Sequence, residues 1–208
     1  MLDRLFAYLH RPDHPDDTFV RLESLALQHQ ELKFVLRVLD YREHVTWGRW
    51  EVLARRPHDF RVEEPNGEPQ LHEHGHVLAR QFTDKHQSLY FRAAPASAPE
   101  VVGLLRAAHH RVSGDWIAFG RYLNPRKEFG ALIAAGNGLL ADGPMFLIHE
   151  YAGVLEGAGM KPSALDPRQV RRYYGGPPVS APAPLATLVL GRSWFVAEEF
   201  EERELPDA

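Results

Sequence analysis

The 208 residues contain no cysteine, which excludes disulfides, thiolate nucleophiles and every cysteine-ligated zinc or iron–sulfur centre. A metal site would have to be built from His, Asp or Glu. Lysine is scarce as well: Lys33, Lys85, Lys127 and Lys161 are the four present, and arginine supplies the rest of the 24 basic residues. With 28 acidic residues the formal net charge is −4, so no cationic surplus argues for a protein that coats nucleic acid. No uninterrupted apolar run has the length of a membrane span. The most apolar stretch, Phe129 to Ile148, is broken by Asn137-Gly138 and Asp142-Gly143-Pro144 and reads as two buried elements. Residues 1–17 lack the apolar core of a secretory signal, and the expectation is a cytoplasmic protein with no membrane partner.

What is present suits a folded chain. Hydrophobic residues make up 44% and charged residues 25%, the composition of a globular protein, and the length fits a single domain over 1–208. Residues 1–130 hold 18 basic and 18 acidic side chains; residues 131–208 hold 6 and 10, so the whole deficit lies in the second part, at Glu198 to Glu204. The balanced arginine–carboxylate body reads as a salt-bridged exterior. Leu32 to Val38 and Trp47 to Arg56 alternate as half-buried strands; Phe60 to Glu63 and Ser88 to Arg92 read as two more. Ser97-x-x-Glu100 is a capping box opening a helix with Val101, Leu104, Leu105 and Ala108 on its apolar side. Met145 to Glu156 predicts a further helix, and Asp166-Pro167 a short one. A proline- and glycine-rich linker over 175–184 precedes a hairpin built from Ala186–Leu190 and Ser193–Phe200. The fold class is therefore α+β: an antiparallel β-meander packed against two or three helices, with a C-terminal β-hairpin returning to the first sheet.

The sharpest chemical motif is His72-Glu73-His74-Gly75-His76, which contains His-Glu-x-x-His. On a helix, His72 and His76 lie one turn apart and both imidazoles reach one zinc ion, with Glu73 placed to activate a metal-bound water. Residues 71–79 resemble the motif of the zincin metallopeptidases. The resemblance implies His72 and His76 as metal ligands and Glu73 as the general base, with Glu100 as a possible third ligand from downstream. If 70–82 is instead a strand, His72, His74 and His76 share one face and Glu73 points the other way. A third reading has Pro65 to His76 as a loop leading into a regular element from Val77.

Other features have structural readings. Gly136-x-Gly138-x-x-Ala141 matches a dinucleotide fingerprint in letters but lacks a helix starting inside it, and reads as a turn. Arg168, Arg171 and Arg172 with Tyr173-Tyr174 read as a charged helix end, and so do His109-His110. Trp50, Tyr90 and Trp116 are the aromatic candidates for lining a binding cavity. Two functions are expected: a non-catalytic binding or interaction domain for a protein partner or small ligand, needing no cofactor, or a zinc-dependent hydrolase using His72, Glu73 and His76.

Overall fold

The computed structural model describes residues 2–14, 18–40, 45–63, 66–169 and 184–206. They form two compact units, one of residues 1–79 with 172–208 and one of residues 80–171. Most of the expected linker, 175–183, lies outside the described residues, as do Arg171, Arg172, Tyr173 and Tyr174.

The first unit begins with helix α1, Asp3–Leu9, followed by strands β1, Thr18–Gln28, β2, Glu31–Asp40, and β3, Thr46–Arg61. Two short strands follow, β4, Asn66–Gly67, and β5, Pro69–His72; the terminal pair is β9, Ala186–Leu190, and β10, Ser193–Leu205. All seven strands join one antiparallel sheet in the order β4-β1-β2-β3-β10-β9-β5. The hairpin thus returns to the meander through β10 on β3. Period-two alternation explains the core: Leu32, Phe34, Leu36 and Val38 of β2 face Trp50, Val52 and Ala54 of β3 inward. Phe34 stacks on Phe195 at 4.4 Å between ring centres. Helix α1 closes this core with Leu2, Leu5 and Tyr8.

The acidic end finds specific partners rather than serving only as a solvated strand end. Glu202 accepts the N–H groups of Arg4 and Leu5, both at 2.7 Å, and so caps α1 from a strand about 200 residues away. Glu201 pairs with Arg55 and Glu198 with Arg56. On the outer face Arg37 and Arg49 both donate to Glu23, and their hydrogen bonds, Arg49 foremost, hold its carboxyl below the usual range.

The second unit holds a three-stranded antiparallel sheet in the order β7-β6-β8, where β6 is His86–Arg92, β7 Asn137–Pro144 and β8 Lys161–Ala164. Helix α2, Val77–Thr83, contains the division between the units. Helices α3, Ala98–Ser113, α4, Phe129–Ala134, and α5, Met145–Gly157, share one core with the sheet, in which Leu89 and Phe91 meet Leu105, Ile133, Ile148 and Tyr151. The capping box is as read: Ser97 Oγ accepts the N–H of Glu100, and Pro99 occupies the first turn of α3. Phe129 to Ile148 yields three elements, not two, because β7 occupies the middle of it. No helix follows Asp166-Pro167 among the described residues. Arg168 instead exchanges backbone hydrogen bonds with His86 as an isolated bridge, continuing the β8 side of the sheet. No helix among the described residues is long and apolar enough to cross a membrane.

Candidate functional site

The His72–His76 motif is neither one helix nor one strand. Strand β5 ends at His72, residues 73–76 turn, and α2 starts at Val77, so the loop leading into a regular element is the geometry present. The turn still brings the imidazoles of His72 and His76 to 4.6 Å between ring centres. Burial, with the neighbouring His72 charge adding to it, lowers the His76 pKa to about 4. Its Nδ1 accepts the N–H of Leu78 at 3.3 Å, the position of a helix N-cap acceptor. That bond places the proton of neutral His76 on Nε2, the opposite of the tautomer a metal-binding Nε2 requires.

Glu73 and His74 are exposed and line a different feature, a cleft of about 340 Å³ floored by Leu71, Leu185 and Phe200. The strand alignment of His72, His74 and His76 does not form, since only His72 lies in β5. Glu100 is exposed at the start of α3, where its backbone is held by Ser97. A zinc site needs at least three protein ligands, and among the described residues no three His, Asp or Glu side chains converge to hold an ion.

The aromatic candidates separate. Trp50 is 1% exposed and belongs to the core of the first unit; Trp116 is half-buried just beyond α3. Tyr90, by contrast, is 40% exposed on β6, whose alternation sends Leu89 and Phe91 into the core and Tyr90 and Arg92 to the opposite face. The registers of the two neighbouring strands turn that face into a grid. Arg92 lies between Lys161 on β8 and Asn137 on β7; Tyr90 lies between Ser163 and Leu139. Tyr90, Arg92, Asn137, Lys161 and Ser163, with Pro162 and Leu165, line an open groove of about 710 Å³.

The third row of the grid is electrostatically closed. Ser88 Oγ donates to Asp142 at 2.9 Å, and the guanidinium of Arg168 spans both carboxylate oxygens of Asp142 while also reaching Ser88. Burial pushes the Asp142 pKa up, but the hydrogen bonds from Arg168 and Ser88 outweigh it and hold the carboxyl below its usual range. The first row is open: neither Arg92 nor Lys161 has a carboxylate partner among the described residues. Two like charges directly opposite on antiparallel strands sit about 4.5–5.5 Å apart at Cβ and repel.

Of this set the sequence yields Tyr90 alone. Arg92 was readable from the same alternation that exposes Tyr90. Lys161 and Ser163 were not, because β8 follows Gly157 and Gly159 and is too short and proline-bearing to show a pattern. No protein-family model, curated protein or solved structure matches this chain.

Proposed function

We propose that the chain is a non-catalytic binding protein and that its second unit receives a small anionic ligand on the open face of β7-β6-β8. The observation that carries this reading is the cross-strand pair Arg92–Lys161, two exposed cations held side by side without a counter-charge among the described residues. An anion bridging them would turn a repulsive pair into a two-pronged site. Charge partition supports the same sign. The second unit, residues 80–171, holds 11 basic and 8 acidic residues, net +3, while the remainder holds 13 and 20, net −7; the two sum to the −4 of the chain. The groove volume falls within the range of small-ligand sites. Titration of the full chain with inorganic pyrophosphate at low ionic strength should give saturable binding that the double variant R92A/K161A loses. Binding that persists unchanged in that variant, or none in the wild type, contradicts the reading.

The 4.6 Å approach of His72 and His76 favours a second reading, zinc held by these two histidines, with Glu73 swinging in from the turn between them as base. Metal analysis of tag-free protein decides it: stoichiometric zinc that is lost in H72A/H76A would support it. Zinc-free protein that takes up none on addition would overturn it.

A further inference from the structure

Resting on the anion-binding reading of this face, we infer that the ligand is a mononucleotide, its phosphate on the Arg92–Lys161 row and its base against the ring of Tyr90. The grid sets the spacing. Tyr90 and Arg92 are two residues apart on one strand, so their Cα atoms lie roughly 7 Å apart on the same face. A ligand must therefore combine a charged end and a flat apolar part about one such step away. The charged end meets two cations, which suits a phosphate monoester carrying between one and two negative charges at neutral pH. The flat part meets an exposed phenol ring in a groove that Leu165 also lines. Stacking on an aromatic side chain is how proteins hold bases with little regard to sequence.

The row of Tyr90 also supplies a polar group for a base edge: the Ser163 hydroxyl lies opposite Tyr90. The grid does not extend the positive track. In the next row Arg168 is spent on Asp142, so a second phosphate moving along β6 would meet a neutralised pair. A single nucleotide fits this pattern, whereas a polynucleotide needs cations that continue along its backbone.

The test is calorimetric titration of the full chain with four probes: inorganic phosphate, adenosine, adenosine monophosphate and a twelve-residue single-stranded oligonucleotide. The monophosphate should bind at least tenfold more tightly than either phosphate or adenosine. R92A/K161A should reduce it to the level of adenosine, Y90A to the level of phosphate, and Y90F should leave it within about twofold, because the ring and not the hydroxyl does the stacking. All three positions are exposed, and circular dichroism with a melting curve checks that each variant is folded. Monophosphate binding no tighter than phosphate overturns the nucleotide assignment and leaves the anion reading standing. Absence of binding by both phosphate and the monophosphate overturns the two together. Oligonucleotide binding more than tenfold tighter than the monophosphate would make the face a nucleic-acid groove and also overturns the assignment.

Discussion

Three residues show how the fold gives a structural part to a residue that stands out in sequence. His76 acts as the cap acceptor of α2 only when neutral, and its lowered pKa means it stays neutral in the folded chain down to about pH 4. The unfolded chain takes up that proton near the ordinary value of 6.5, so the contribution of His76 is fully present above pH 6.5. It is lost as pH falls from there towards 4. Burial lowers His86 and His109 in the same direction. Urea midpoints should therefore decline between pH 7 and pH 4.5, and His76→Asn, which keeps a cap acceptor but cannot titrate, should flatten part of that decline; an unchanged slope would contradict the assignment.

His109, paired in sequence with His110 as a charged helix end, instead points into the second unit. Its Nε2 meets the Ile117 carbonyl at 2.6 Å and its Nδ1 the Tyr151 hydroxyl at 2.7 Å. The carbonyl can only accept, so Nε2 carries the proton and Tyr151 donates to Nδ1; burial raises the Tyr151 pKa and keeps it a donor. His109→Ala leaves both partners unsatisfied in a buried place. It should cost about 2–4 kcal/mol in chemical denaturation. Gly136 belongs to the dinucleotide-like string for a different reason than phosphate. Its φ is +72°, and a Cβ there would fall 2.7 Å from the backbone nitrogen of Ala94. Gly136→Ala should destabilise the second unit by more than about 1 kcal/mol in a thermal melt.

At the scale of elements, what was legible followed the regular periods and what was missed followed their interruptions. β2, β6, α3, α5 and the hairpin β9–β10 stand where alternation, caps and turn residues put them. β1 is invisible in the sequence because a bulge between Leu22 and Ser24 resets its phase, so Leu22 and Leu25 share a face that simple alternation denies them. β3 reads as two strands because Pro57 and His58 interrupt it. The structure passes through them at a second bulge, with Arg56 at φ +45° and the register skipping between Val196 and Ala197. The candidate face suffers most from this kind of blindness. Its grid exists only once β8 is paired with β6 in register, a long-range fact that no local pattern encodes. The metal motif is the opposite case: a local string is complete in sequence while the chain around it bends between β5 and α2. Arg168 is legible only after pairing too. Asp142→Asn should weaken its clamp and, by freeing a third cation beside Ser88, strengthen pyrophosphate binding severalfold; weaker or unchanged binding would show that this row does not sense the ligand.

For the molecule as a whole, the net charge conceals two opposite ones. The first unit carries −7 and the second +3, a division that cuts across the balanced first 130 residues and the acidic end seen in the linear sequence. Attraction of an anion to the second unit should weaken with salt, as solvent-exposed cations are screened over about 8 Å at physiological ionic strength. Where an anion binds is therefore the decisive property of the molecule. The most direct measurement is a backbone amide NMR titration of the full chain with adenosine monophosphate. Progressive shifts confined to Tyr90, Arg92, Asn137, Lys161 and Ser163 and their immediate neighbours are the predicted result. Shifts elsewhere with these residues unmoved, or no shifts at millimolar ligand, would contradict it.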